Sequence, residues 1–394
     1  MSKLYFTRIY AGAIILGSIL FQISCGNKDS RNDVLLAAES YELEIIDSVM
    51  IDYLGALSWS DISIDGKYIL GYNYQNSDVL LFSTMGEVLG TFNKSGDQPD
   101  GIGGSALSRP QFVKENEWAI LGSKGVYAYN FQGELTRTAK PGFSVSLSLT
   151  ISNANILHFL DEDRALTHFM GRDESSTFYI NPKSTQLEIS DFKSGDFTAS
   201  LPLPEGSKFK NPEKIHNLLT ASPAMDIQNG NLYIAFKNEP KLWVYSLNDL
   251  EKPIKEINML FDKFIQKDGI SPDKAEDDNV GINIKDFTYG SIDKIITHNE
   301  MVLIHYTNGL TETEYNEVNE GLENPMDAFS AIFKMNKRKY AFLGDDGTIK
   351  PINLPENVGN IEFVDKDGIY WLSYNREEEL DYELIFKAKL KAVE

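Results

Sequence analysis

The sequence predicts an all-β protein: a closed β-propeller of six antiparallel blades, the last completed by a strand from the N-terminal end. Three observations predict it. First, Asp61–Asn93 carries three short apolar runs between the turn signals Asp65-Gly66, Gln75-Asn76-Ser77 and Met85-Gly86, the pattern of an antiparallel meander. Second, that unit recurs. Asp65–Asn73 (DGKYILGYN) and Asp367–Asn375 (DGIYWLSYN) agree at six of nine positions, and Asp78–Phe92 parallels Gly125–Ala139 at an offset of 47 residues, the spacing of propeller blades. Third, the C-terminal unit shows three strands where a propeller blade needs four, and a spare strand, Tyr41–Tyr53, precedes the first blade.

The N-terminal 25 residues read MSKLYFTRIYAGAIILGSILFQISC, with the cationic Lys3 and Arg8 ahead of an apolar stretch, Ala11–Ile23. That stretch is short for a membrane span and has the layout of a secretory signal. Phe21-Gln22-Ile23-Ser24-Cys25 resembles the lipobox of bacterial lipoprotein precursors, with Gln22 in place of the customary Leu. The resemblance implies cleavage before Cys25, lipid on its sulfur, and attachment to the outer membrane, facing either the periplasm or the exterior. Cys25 is the chain's one cysteine, so an intrachain disulfide and a cysteine zinc cluster are both excluded. Residues 26–40 read as a tether and residues 41–394 as the propeller.

Within the body, blade one is Ser58–Asn93 and blade two about Leu107–Lys140. Blade three is about Ile151–Leu203, with strands at Ile156–Leu160, Ala165–Phe169, Phe178–Asn181 and Phe197–Leu201. Blade four is about Pro223–Leu260. Blade five is about Ile284–Leu354, with strands at Val302–Tyr306, Ala331–Met335 and Tyr340–Leu343. Blade six is Ile361–Leu390. Splitting the long fifth blade would give seven. Tyr41–Tyr53 is expected beside Glu383–Leu390, closing the ring and removing sheet edges that would otherwise invite aggregation. With repeats, closure and lipobox together, the chain resembles the TolB-like six-bladed propeller lipoproteins of Gram-negative bacteria. That resemblance rests on layout and covers roughly residues 40–394.

The net charge of −21 disfavours nucleic acid and anionic lipid surfaces as partners. No Gly-x-Ser-x-Gly, His-Glu-x-x-His or catalytic-cysteine pattern occurs. Candidate ligand contacts are Trp59 and Tyr289, placed near strand starts at the channel mouth, Lys285 beside Tyr289, and Arg109 for anions. Trp371 reads as inter-blade packing. Asp277, Asp278 and Asn279 offer the hard oxygens calcium uses, but without an EF-hand's spacing; a solvated loop is the plainer reading, and no cofactor is expected. His158 and His168 flank Asp161-Glu162-Asp163, a spacing compatible with a metal or acid–base pair but more economically explained by packing. The acidic segment Thr311–Asp327 is expected to be mobile through self-repulsion. The functional expectation is an anchored binding or scaffolding module for a protein or glycan. The alternative is a carbohydrate-active hydrolase or lyase, which needs two channel carboxylates about 5–9 Å apart.

Overall fold

The computed structural model describes residues 38–143, 156–169, 179–277, 283–322, 324–375 and 380–393. The signal, the lipobox with Cys25 and most of the tether lie outside the described residues. Strand β1 (Ser40–Ile51) comes first in the chain. Four four-stranded antiparallel sheets follow in order. They are β2–β5 (Ser58–Ile62, Tyr68–Asn73, Asp78–Ser83, Val88–Asn93) and β6–β9 (Gln111–Lys114, Glu117–Gly122, Gly125–Asn130, Leu135–Ala139). Next are β10–β13 (Leu157–Phe159, Arg164–Thr167, Thr185–Asp191, Phe197–Pro202) and β14–β17 (Pro223–Gln228, Asn231–Phe236, Lys241–Ser246, Lys255–Asn258). The last strands are β18–β21 (Tyr289–His298, Met301–Gly309, Lys339–Leu343, Ile349–Asn353) and β22–β24 (Val358–Val364, Tyr370–Tyr374, Glu383–Val393).

The arrangement is that of a β-propeller. The first strand of each unit lies innermost, and these strands touch in succession: β22 with β2, β2 with β6, β6 with β10, β14 with β18, and β18 with β22. The link from β10 to β14 is made by His158, whose Nδ1 lies 3.8 Å from Asp226 Oδ1. Buried hydrophobics form clusters between neighbouring units around the ring, such as Trp118 and Tyr129 with Leu70 and Tyr72, and Trp243 and Phe236 with Leu166 and Leu187. This is why each strand run is rich in aromatics: one face of each sheet is the next sheet's core.

Closure follows the sequence reading in one respect and departs from it in another. β1 pairs antiparallel with β24 along its length, Ser40 opposite Val393 and Ile51 opposite Glu383. Tyr41 and Glu42 also pair in parallel with Ile352 and Asn353 of β21. The last two units therefore share one eight-stranded sheet, in the order β18-β19-β20-β21-β1-β24-β23-β22. The chain thus has four separate blades and one continuous double-width sheet, which corrects the expectation of six separate blades. The cause is local: β1 pairs with β24 along one edge, and at Tyr41 and Glu42 its other edge bonds to β21 of the neighbouring unit.

Three local expectations are also corrected. Ala331–Met335 is not a strand but the end of a helix, α2 (Pro325–Met335). Asn324 caps it by accepting from Met326 N, and Pro325 occupies the first turn, where its missing N–H costs nothing. With that run helical, the long unit offers no seventh blade. The acidic insertion is ordered in the same way: Glu312–Asn319 forms α1. Thr311 and Glu314 make a reciprocal capping box, and Lys263 and Lys285 neutralise Glu314 and Glu312. Lys263 and the Thr311 donors hold the Glu314 carboxyl down at about 2. In the third sheet the third strand is Thr185–Asp191, not Phe178–Asn181. Tyr179 pairs with Asn217 as an isolated bridge outside the sheet, and Phe178 lies outside the described residues.

Candidate functional site

The innermost strands are irregular where they line the ring. Ladder register breaks at Ser60 in β2, at Val113 in β6, at Asp293 in β18 and twice in β22. Such bulges turn side chains out of the sheet plane, here on the strands nearest the axis.

Two carboxylates repeat one device. Asp61 Oδ1 accepts from its own neighbour Ile62 N at 2.9 Å, and Oδ2 accepts from Phe112 N of the next inner strand at 2.8 Å. Asp226 Oδ1 accepts from Ile227 N at 2.8 Å, and Oδ2 accepts from Thr297 N at 2.6 Å and Thr297 Oγ1 at 2.8 Å. Each Asp-Ile pair thus ties one inner strand to the next. Across the ring, Arg109 Nη1 donates to Trp59 O at 2.7 Å and to Glu362 Oε2 at 3.1 Å. Lys294 Nζ donates to the carbonyls of Glu362 and Ile361. Burial pushes the Lys294 ammonium down to about 8, partly offset by Glu362.

Burial also pushes Asp61 up to about 7, against the pull of its two N–H donors. An ordinary aspartate titrates near 3.9, so between about pH 4 and 7 the folded state holds a proton that the unfolded chain has released. Stability contributed at Asp61 therefore falls as pH rises through that window. Asp61→Asn is expected to be less stable at every pH but to lose that slope. Urea midpoints at about pH 5 and about pH 8 test it; an unchanged slope in the variant would refute the assignment.

Above this network lies an open basin of about 820 Å³. It is lined by Arg109, Asn360, Ser373 and Tyr374, and by Phe333, Lys334, Lys337 and Arg338 from α2 and the turn after it. Helix α2 is held by Ile332, which is fully buried, and by Phe329, whose ring meets Phe287 at 5.0 Å and Phe333 at 4.7 Å. Asn336, at its end, accepts from Gly309 N and donates to Thr307 Oγ1. A smaller pocket of about 130 Å³ adjoins the basin, shares Phe333 and Arg338 with it, and contains Tyr289 and Asp293.

Of the ligand contacts expected from sequence, Trp59 and Arg109 border the basin and Tyr289 the adjoining pocket. Trp59 offers no ring face, however: it is 1% exposed and packs on Phe82 at 5.8 Å. Lys285 faces away, bound to both oxygens of Glu312 at 2.8 and 3.0 Å. Trp371 is core, as expected, with its indole N–H on Asp365. Asp277 ends a short helix, and Asp278 and Asn279 lie outside the described residues. Among the described residues no three His, Cys, Asp or Glu side chains gather as a metal site. The histidines are packed: His168 Nδ1 sits 2.7 Å from Gln186 O, His216 lies against Phe209, and His305 stacks on Tyr340 at 4.6 Å.

No protein-family model matches the chain, and no curated protein matches it in sequence. Solved structures do resemble it. A member of the DUF4221 family from Bacteroides vulgatus superposes with a TM-score of 0.60 at 14% identity, covering 90% of this chain and 100% of its own. A Bacteroides fragilis protein described as exported gives 0.51 at 12% identity, covering 91% and 97%. BamB from Moraxella catarrhalis gives 0.40 at 8% identity, a score too low to add to the argument. The likeness is one of fold.

The residues that sequence reading missed are Lys334, Lys337 and Arg338. Four of the six residues from Lys334 to Lys339 are basic, in a chain with 58 acidic residues against 37 basic ones. That local charge reversal was a usable signal. Asp226, Lys294 and Glu362 were also missed; each lies in an unremarkable strand, and its partner is far away in sequence.

Proposed function

We propose that the chain is a lipid-anchored lipoprotein of the bacterial outer membrane, of the TolB-like propeller kind, whose ring face binds a protein or a glycan. The observation that carries the binding part is the open basin at the channel mouth, set over a channel whose aspartates are occupied by backbone donors. A group that accepts two or three hydrogen bonds from its own scaffold is poorly placed to exchange protons with a substrate. The alternative, a carbohydrate-active hydrolase or lyase, draws on the raised Asp61 carboxyl, which senses the charge of Asp226. It requires these two groups to leave their backbone partners, and for that reason binding is the preferred reading. The anchor part rests on the lipobox-like segment ending at Cys25.

Metabolic labelling with a palmitate analogue tests the anchor. Wild type is expected to label and Cys25→Ala is not; equal labelling would refute lipidation there. Crosslinking on intact cells tests the binding face. Recovery of a protein or glycan attached through the α2 side of the basin is the expected result, and recovery of neither would overturn the reading.

A further inference from the structure

We infer that the ligand of the basin is an acidic oligosaccharide. The inference rests on the binding reading above and names the ligand's chemistry. The chain is strongly acidic, yet the exposed charges on the α2 side of the basin, Lys334, Lys337 and Arg338, are all positive. Among the described residues many lysines are matched to carboxylates, for example Lys241 to Glu256, Lys255 to Asp345 and Lys263 to Glu314. The three cations of the basin are not. Among the described residues none of them forms a salt bridge, and their one side-chain hydrogen bond is from Arg338 Nη1 to Asn360 Oδ1 at 3.3 Å. Leaving cations unpaired in a chain with an excess of acid creates a local positive field that draws and holds an anion.

The rest of the lining selects the kind of anion. Beside the cations the lining includes the side-chain amides of Asn360 and Asn375 and the partly exposed Tyr374 ring, and Phe333 stands 45% exposed beside Lys334. Ser373 Oγ is taken up by the Asn360 backbone and Asn360 Oδ1 by Arg338 and Tyr340, which leaves the Asn360 NH₂ to donate to a sugar hydroxyl. Exposed rings supply flat apolar surface for the C–H faces of a pyranose. Among the described residues the acids of the lining do not oppose the ligand: Glu362 is buried against Arg109, and Glu383 is 9% exposed. The basin is open and holds about 820 Å³, room for a short stretch of a longer chain. Rigidity favours the same conclusion, because Asn336 pins the basic turn to β19 and the cations are presented on a fixed support.

Isothermal titration of the soluble mature domain tests this, with oligogalacturonate as the carboxylate probe and a heparin-derived oligosaccharide as the sulfate probe. At least one is expected to bind saturably, and which one names the anionic group. The triple variant K334Q/K337Q/R338Q is expected to bind about tenfold or more weakly, while Lys255→Gln, on the fourth sheet, binds as wild type. Should the triple variant fold poorly, the native protein still decides the matter. Methyl-esterified oligogalacturonate and neutral oligosaccharides are expected to bind far more weakly, and binding of the acidic probe is expected to weaken with added salt. Binding of neither acidic probe, equal binding of a neutral sugar, an unaffected triple variant, or tighter binding of a poly-glutamate peptide would each overturn the inference. A cell-surface partner crosslinked equally well to the triple variant would leave the binding reading standing and remove this one.

Discussion

A chain truncated to begin at Asp52 is expected to lose the folded ring, and one in which Ser40–Ile51 is moved to the C-terminus is expected to regain it. β1 contributes Tyr41, Leu43, Val49 and Ile51 to two of the inter-sheet cores, all at 5% exposure or less. At about 1.5–3 kcal/mol for each fully buried side chain, their loss is on the order of 10 kcal/mol. That is an upper figure, since unfolded chains already bury part of their surface, yet it is comparable with the whole net stability of a typical protein, about 5–15 kcal/mol. Truncation also leaves β24 as a long unpaired edge. The permuted chain keeps every one of these contacts. Ser40 stands opposite Val393 in the antiparallel register, so a short Asn-Gly turn can join them into a hairpin. The closing strand then forms by a local contact instead of one spanning the chain, which should speed folding. Circular dichroism and urea unfolding decide the matter. A truncated chain that unfolds cooperatively at the wild-type midpoint would show that β1 is dispensable; a permuted chain that fails to fold would show that the seam needs its native connection.

The closing strand was legible because it is a counting problem. The C-terminal unit was one strand short, and Tyr41–Tyr53 had no other place to pair. The repeated Asp-Gly turns were legible because each fixes a left-handed residue, as at Gly66 and Gly368, both at φ +74°. The two turns even meet in space, Lys366 Nζ donating to Asp65 O. Segments whose local pattern is ambiguous were not legible. Ala331–Met335 is apolar enough for a strand, and the signals for a helix, Asn324 and Pro325, stand at its far end. Thr185–Asp191 alternates Leu187 and Ile189 with polar residues, but Pro182 and Lys183 before it read as the continuation of a turn. At the site, Arg109 was within reach because Arg-Pro precedes an inner strand. The bond from Thr297 to Asp226 was not, because nothing in a single sequence marks two residues 71 positions apart as neighbours.

That same bond makes Asp226→Ala the most damaging point substitution expected in the channel. Three donors lose their acceptor at once: Ile227 N, Thr297 N and Thr297 Oγ1. A fully buried donor left unpaired costs about 1–3 kcal/mol; these three are partly buried, so a loss of about 2 kcal/mol or more is expected. The cavity left by a carboxylate is small, and the groups around it cannot close over it without moving two inner strands. Asp226→Asn is expected to fall between the two, because its amide oxygen still accepts one backbone N–H while its NH₂ faces Thr297 N, donor against donor. Asp345→Ala, which removes an exposed partner of Lys255, is expected to change stability by less than about 0.5 kcal/mol. Urea midpoints for the three variants give the ranking. If Asp226→Ala unfolds at the wild-type midpoint, the inter-sheet cores alone hold the ring, and the aspartates are free for other work. The binding reading would then lose the argument that sets it above the hydrolytic one, since its preference rests on these carboxylates being structural ties.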